Sequence, residues 1–180
     1  MYLKCNVFRG DHVESVHQVN AVIVDSSGEI LYSFGDPHYK TYVRSSLKPF
    51  QASVCIESGA AEEYNFNDKE LAIMCASHNG EDIHTSTVSG MLEKIGIDHS
   101  FYECGIHPPF DKGARASHIE RGIEFSPLHN NCSGKHAGML AIAQHAGWDH
   151  SGYISKAHPV QTKIKSALER DNFMTADAAK

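Results

Sequence analysis

The pattern of apolar and polar positions predicts strands at the start of the chain. Residues 19–25 and 29–34 are rich in β-branched and aromatic side chains, and a three-residue turn, Ser-Ser-Gly, separates them. Two such runs around a short turn are typical of a β-hairpin. The first ten residues show no charged segment followed by a continuous apolar one, so they indicate a polar-flanked strand rather than a signal peptide.

The later part of the chain predicts helices, because runs of apolar residues alternate there with residues that start or end helices. Asn67 and Asp68 are candidate caps at a helix start, Gly96 closes a helix, and Pro159 suits a first helical position. The five predicted helices cover residues 47–58, 69–76, 83–95, 133–146 and 160–170. Strands followed by helices predict an α/β protein, of the α+β kind.

No repeat, low-complexity tract or linker divides the chain, so we expect residues 1–180 to form one region without an internal boundary. Residues 102–131 are rich in proline, glycine and polar side chains, and they predict a long connection. Long connections inside a domain are either functional or ordinary surface excursions. This one leads into a reactive motif at residues 130–138, which favours a function.

Composition narrows the class of protein. The chain has 180 residues, of which 41% are hydrophobic and 21% charged, and its formal charge is −6. It is long enough for one core, its cations are too scattered for nucleic acid, and its apolar runs are too short for a membrane span. The five cysteines are odd in number and form no CxxC pair, which favours a reduced, cytoplasmic location.

The first reactive motif is RSSLKPFQ at residues 44–51. Ser45 and Lys48 are three positions apart, which places both side chains on one face of a helix, so that the amine can reach the hydroxyl. This is the arrangement of a serine nucleophile with a lysine base. Spacing alone is weak evidence, and by position alone Ser46 is a rival nucleophile.

The second motif is CASHNGE at residues 75–81, where polar side chains meet a turn after an apolar helix. Ser77 is expected to face a cleft, although Ser77 and His78 are equally suited to ending a helix without taking part in chemistry. Taken alone, the motif leaves both readings open.

The third motif is NNCSGKHAG at residues 130–138. Gly134 and Gly138 allow close backbone approach at a helix start, while Cys132 and Lys135 are three apart, with His136 beside them. A thiolate and an amine turned to one point suit a metal ion, or Lys135 holds a carboxylate. The alternative is a buried cysteine with a solvated lysine.

The three motifs RSSLKPFQ, CASHNGE and NNCSGKHAGML, in this order and separation, closely resemble the L-asparaginase II family, typified by the inducible rhizobial enzymes. The resemblance implies a fold similar to that of serine β-lactamases and glutaminases. Kinship with the β-lactamases is at fold level only, because their SDN and KTG segments are absent. It also implies that the chain, ending at Lys180, is truncated to roughly half the family's usual length.

The resemblance implies roles for residues that match the family's motifs. Ser45 looks like the nucleophile, Lys48 like its base and Ser77 like a second catalytic hydroxyl. Cys132 and Lys135 look like two ligands of a zinc site that a downstream cysteine completes. The residues expected to bind substrate are Arg44, His78, Glu81, Asn131 and His136. Family membership also implies a homodimer.

The implied reaction is hydrolysis of L-asparagine to L-aspartate and ammonia through an acyl-enzyme on Ser45. Lys48 must be neutral to accept the serine proton, and we expect burial and the positive neighbours Arg44 and Lys135 to disfavour its charge. The alternatives are a glutaminase, another Ser-Lys amidase, or a catalytically incomplete fragment that binds an amino acid.

Overall fold

The computed structural model describes residues 2–170. Contacts between residues divide the chain into a β unit that ends at Val43 and a helical unit that begins at Arg44. We describe each unit by itself, and the expected single region without an internal boundary stays a prediction. Helices and small sheets together confirm the α+β class, while the resemblance to the β-lactamase fold stays a prediction.

The β unit consists of two antiparallel hairpins. β1 (Leu3–Arg9) pairs with β2 (His12–Val19), and β3 (Ala21–Val24) pairs with β4 (Ile30–Phe34). The second hairpin is the predicted one. Its turn is held by the Asp25 carboxylate, which accepts hydrogen bonds from the backbone N–H groups of residues 27 and 29.

The first hairpin is only partly predicted. The polar-flanked strand at the N-terminus is present as β1, but β2 was not predicted, and residue 19 belongs to β2 rather than to the second hairpin. No side chain between residues 2 and 43 belongs to the buried core. Phe8, Ile23 and Tyr32 are each more than half exposed.

Between residues 44 and 170 the helical unit contains all five predicted helices and two more α-helices. The predicted helices are α1 (Lys48–Glu57), α3 (Asp68–Cys75), α4 (Asp82–Ile95), α6 (Ser133–His145) and α7 (Pro159–Arg170). The additional helices are α2 (Ala60–Glu63) and α5 (Lys112–Glu120). The prediction of a long connection is therefore wrong in its middle, where α5 begins with the Asp111 carboxylate accepting the Ala114 N–H.

Helix α6 is the centre of the helical unit. It contacts α1, α2, α3, α4 and α7. Ten of its thirteen residues are buried, because small and apolar side chains cover its whole circumference. Its first turn, which carries the third motif, is consequently held on all sides.

Two glycines let α6 lie directly against α3. A Cβ atom at Gly134 would come within 2.5 Å of the Ile73 carbonyl oxygen, and one at Gly138 within 2.5 Å of the Met74 sulfur. These distances confirm the expected close backbone approach. The contact brings the end of α3, and with it the second motif, to the start of α6.

An ion pair between the buried Glu70 and the partly exposed Lys94 joins α3 to α4. The Lys94 amine lies 2.6 Å from Glu70 Oε2 and also donates to the Asn65 carbonyl oxygen. Glu70, which is only 4% exposed, accepts the Asn67 N–H as part of a capping box. Between residues 2 and 170 no helix has the length and apolar character that crossing a bilayer requires.

Candidate active site

The first motif begins the helical unit. Arg44–Leu47 forms a single 3-10 turn that runs directly into α1, so Ser45 lies on the turn and Lys48 is the first α-helical residue. Side chains three apart eclipse one another in a 3-10 turn. Arg44 has a positive φ of +53°, a left-handed backbone conformation that residues other than glycine seldom adopt.

Lys48 is the most buried cation of the site. Only 2% of the residue is exposed, and its amine donates to the Ala76 carbonyl oxygen at 2.8 Å and to Ser77 Oγ at 2.6 Å. A third, longer contact of 3.4 Å reaches the Asn131 carbonyl oxygen. Lys48 thus ties the first motif to the second and the third.

A pocket of about 290 Å³ opens beside this amine. It is lined by Arg44, Ser45, Lys48, Gln51, Cys132 and Lys135. Three cations and no carboxylate stand in this lining, so the pocket favours an anionic group. Ser45 therefore shares a pocket with Lys48, whereas the hydroxyl that hydrogen bonds to the amine is that of Ser77.

The His78 side chain holds the loop that carries Ser77. The Gly80 N–H donates to His78 Nδ1 at 3.2 Å, and His78 Nε2 lies 2.8 Å from Ser133 Oγ. Because Nδ1 accepts, Nε2 carries the proton and donates to Ser133, whose hydroxyl donates in turn to the Leu128 carbonyl oxygen. Burial, aided by nearby positive groups, lowers the pKa of His78 to about 4, which keeps the ring neutral.

His136 is held in a similar way at the start of α6. Its Nδ1 lies 2.7 Å from the Tyr153 hydroxyl, which also accepts the Glu103 N–H. The tyrosine proton is therefore available to His136. Burial, together with the charges of Lys135 and Lys48, lowers the pKa of His136 to about 3.

Asn131 stands between the loop and the third motif. Its carbonyl oxygen accepts the His78 N–H at 3.1 Å as well as the Lys48 amine. Its own N–H donates to His107 Nε2 at 3.1 Å. The neighbouring Asn130 side chain bridges the Cys132 N–H and the Cys104 carbonyl oxygen, so the connection before α6 is fastened at two points.

Cys132 and Lys135 both line the pocket, and their role as two ligands of a metal stays a prediction. Burial lowers the pKa of Lys135, and the charge of Lys48 lowers it further, while the thiols of Cys132 and Cys104 oppose this shift. Within residues 2–170 no group of three His, Cys, Asp or Glu side chains is arranged to hold a metal ion. The two zinc ligands that the resemblance implies among the described residues are fewer than the four that zinc usually takes.

Glu81 lies apart from this cluster. It lines a different pocket of about 400 Å³, with Asp82, Asp111, His118 and Arg121 among its neighbours. Glu81 does not line the pocket of Ser45 and Lys48, so the structure gives no support to its predicted role in substrate binding.

Two residues of the site were missed in the sequence. Gln51 lines the pocket one turn after Lys48. Its position in the first motif, three residues beyond the lysine, could have indicated that it shares the same helix face. His107 lies in the segment before the third motif, where nothing in the local pattern distinguishes it from the other histidines of the chain.

The model of one protein family matches this chain. That family is L-asparaginase II, and the match covers residues 5–179. The search of curated proteins found no match.

Proposed function

The chain belongs to the L-asparaginase II family, and from this premise we propose that it hydrolyses L-asparagine to L-aspartate and ammonia. Family membership supports an amidohydrolase acting on a small molecule. The choice of asparagine, and a mechanism through Ser45 and Lys48, go further and are argued here from the site.

One observation carries the proposal: a buried lysine amine is hydrogen bonded to a serine hydroxyl beside a pocket that contains a second serine. The 2.6 Å contact between Lys48 Nζ and Ser77 Oγ is within the range for direct proton transfer. Ser45 lines the same pocket as Lys48. Paired hydroxyl and amine groups are the components of a Ser-Lys acyl transfer site.

The hydrogen-bond acceptors around Lys48 suit the proposed role as a base. A neutral amine has two N–H groups and one lone pair, and two carbonyl oxygens, of Ala76 and Asn131, lie within hydrogen-bond distance. When both N–H groups donate to these carbonyls, the lone pair is left for a hydroxyl.

The cations of the pocket suit an amino acid substrate. The α-carboxylate of asparagine is an anion, and Arg44 and Lys135 line a pocket that contains no carboxylate of its own. A bound carboxylate would place the side-chain amide within the same small space as Ser45. Arg44 is therefore proposed as a carboxylate-binding residue.

In the first proposed step, Ser45 Oγ attacks the side-chain amide carbon while its proton passes to the Lys48 amine. The carbon–nitrogen bond then breaks, the leaving nitrogen takes the proton from Lys48, and ammonia departs. An ester between Ser45 and the aspartyl group remains. Because the lone pair of the amine then faces Ser77 Oγ, the Ser77 hydroxyl is proposed to relay the proton: it gives its own proton to Lys48 and takes the one from Ser45.

In the second step a water molecule attacks the ester carbon and gives one proton to Lys48. The bond to Ser45 Oγ breaks, the serine regains its proton from Lys48, and aspartate is released. Both steps use the same base, so removal of Lys48 should slow both.

The other predicted site residues have different support. His78 and His136 are buried, and the contacts of their rings with Ser133 and Tyr153 favour positioning over direct substrate contact. Substrate binding by Asn131 and Glu81 stays a prediction. Zinc binding by Cys132 and Lys135, the homodimer and the cytoplasmic location also stay predictions, and no step above passes through a metal.

Ammonia release from L-asparagine tests the proposal. We would measure it with the complete natural reading frame and with the 180-residue chain alone, each beside Ser45→Ala, Ser77→Ala and Ser46→Ala, the last of which tests the rival nucleophile. L-glutamine and a chromogenic ester serve as competing substrates. Mass spectrometry of the protein quenched during turnover identifies the serine that carries the acyl group.

We expect asparagine to be the best substrate, Ser45 to carry the acyl group, and Ser45→Ala to lose turnover. An acyl group on Ser77 would reassign the nucleophile while keeping the reaction. Preference for glutamine or the ester would favour the rival amidase, and amino acid binding without turnover by either form would favour a binding fragment.

A further inference from the structure

We propose that His107 is a positioning residue, which holds the Asn131 peptide so that its carbonyl orients the Lys48 amine. The inference rests on the proposed function, because it assigns a role in preparing the proposed base. His107 lies outside the three reactive motifs and does not line the pocket of Ser45. Its importance comes from the bonds of its ring.

The hydrogen bonds of the imidazole define its tautomer. His107 Nδ1 lies 2.8 Å from the Pro108 carbonyl oxygen, which can only accept, so Nδ1 carries the proton. Nε2 is then an acceptor, and it receives the Asn131 N–H at 3.1 Å. The Asn131 side-chain oxygen also lies 3.3 Å from Nε2, so both the backbone and the side chain of Asn131 contact the ring. The ring stacks on Phe110 with 4.7 Å between ring centroids.

The Asn131 peptide links His107 to the proposed base, because its N–H contacts His107 and its carbonyl oxygen contacts Lys48. The Asn131 carbonyl oxygen accepts from the Lys48 amine at 3.4 Å and from the His78 N–H at 3.1 Å. The first contact orients the amine, and the second holds the loop that presents Ser77. One residue therefore sets the relative position of Lys48 and the loop hydroxyl, and His107 fixes that residue.

The 3.4 Å contact is the weakest of the three around Lys48, which makes it the one most sensitive to a shift of Asn131. The Ala76 carbonyl alone does not define the direction of the lone pair, because the amine rotates about its last carbon–nitrogen bond. Loss of the imidazole acceptor would release the Asn131 N–H and with it the second fixed acceptor. Misplaced catalytic groups lower turnover more than substrate binding.

The test compares His107→Phe with His107→Gln. Phenylalanine keeps an aromatic ring against Phe110 but has no acceptor, whereas the glutamine side-chain oxygen can accept the Asn131 N–H. The same replacement at the exposed His99, His99→Phe, is the matched control. Steady-state kcat and KM for L-asparagine and the thermal unfolding midpoint are measured for each variant.

We expect His107→Phe to lower kcat by about tenfold with little change in KM, and His107→Gln to recover most of the loss. His99→Phe should behave as the unmodified protein. The proposal is overturned when His107→Phe keeps its kcat, or when His107→Gln loses as much as His107→Phe.

A second readout separates this proposal from the proposed function. Lysine labelling by an amine-reactive acylating reagent, followed by peptide mass spectrometry, reports the exposure and order of Lys48 relative to Lys94, and it needs no turnover. We expect faster labelling of Lys48 in His107→Phe and protection again in His107→Gln. If the unmodified protein shows no turnover, the proposed function fails. If, in addition, Lys48 is labelled at the same rate in all variants, the proposed role of His107 is overturned as well.

Discussion

Lys48 and Ser77 are 29 positions apart in the chain, yet 2.6 Å separates the lysine Nζ from the serine Oγ. The contact forms because α1 packs against α3, and the loop after α3 turns back over the first residue of α1. A buried amine thereby gains a hydroxyl and two carbonyl oxygens as neighbours. Burial of a lysine is costly unless hydrogen bonds satisfy it, so these contacts and the burial depend on one another.

Replacement of Lys48 by methionine tests this dependence. Lys48→Met keeps much of the buried volume but removes the base, and we expect kcat to fall by about 10³-fold. The Ala76 and Asn131 carbonyl oxygens lose a donor, so the free energy of unfolding should fall by about 1–3 kcal/mol. Ammonia release and urea unfolding measure the two effects.

Lys156 provides the matched control, since Lys156→Met makes the same replacement at an exposed position. That variant should keep both activity and stability. Full turnover in Lys48→Met would show that another group accepts the proton.

The close contact between α6 and α3 predicts unequal costs for two alanine substitutions. At Gly134 the new Cβ would meet the backbone oxygen of Ile73, which cannot move without shifting α3. At Gly138 it would meet the sulfur of Met74, a flexible side chain that can adjust. We expect Gly134→Ala to lower the free energy of unfolding by about 3 kcal/mol and Gly138→Ala by about 1 kcal/mol.

Urea unfolding of both variants, monitored by far-ultraviolet circular dichroism, checks the order. Gly134→Ala should also reduce turnover, because the start of α6 carries Cys132 and Lys135. Equal costs at the two positions would contradict the close contact at Ile73.

The sequence predicted the five longer apolar or amphipathic helices better than the polar helix α5 and the strand β2. The amphipathic helices and the apolar α6 were visible because burial demands their pattern. Helix α5 was missed because its sequence, KGARASHIE, is mostly polar and buries only His118. β2 was missed because its valines, at positions 13, 16 and 19, are three apart and so do not show the period of two that indicates a strand.

The sequence predicted individual residues of the candidate site but not the hydrogen bonds between them. Motif spacing and family resemblance pointed to Ser45, Lys48 and Lys135, and one pocket contains all three. The bonds from Lys48 to Ser77 and to Asn131 could not be predicted, since they depend on how α1, α3 and α6 pack. The same limit hid His107, whose partner lies 24 positions away.

The ion pair between the buried Glu70 and the partly exposed Lys94 predicts a large cost for the loss of the lysine. Lys94→Met leaves the Glu70 carboxylate buried without its cation, so we expect the free energy of unfolding to fall by about 3 kcal/mol. The exposed pair of Lys165 and Glu169 is the control, and Glu169→Gln should cost less than about 0.5 kcal/mol. Similar costs in urea unfolding would indicate that water reaches Glu70.

Two buried neutral histidines predict how stability depends on pH. The ordinary pKa of histidine is near 6.5, and burial lowers it to about 4 for His78 and about 3 for His136. As the pH falls below about 6.5, these two histidines bind protons in the unfolded chain but stay neutral in the folded protein. The stability that these groups contribute is therefore complete above pH 6.5 and is lost between there and pH 4 for His78.

The difference for His78 corresponds to roughly 3 kcal/mol, and replacing this residue should remove that share of the pH dependence. We expect the free energy of unfolding of His78→Gln to fall less steeply from pH 7 to pH 4.5 than that of the unmodified protein, since glutamine does not titrate. His12→Gln, at an exposed position, is the matched control and should keep the original slope. Parallel curves for His78→Gln and the unmodified protein would show that His78 binds a proton equally well in both states, and the neutral ring that holds the Ser77 loop would then be the wrong description.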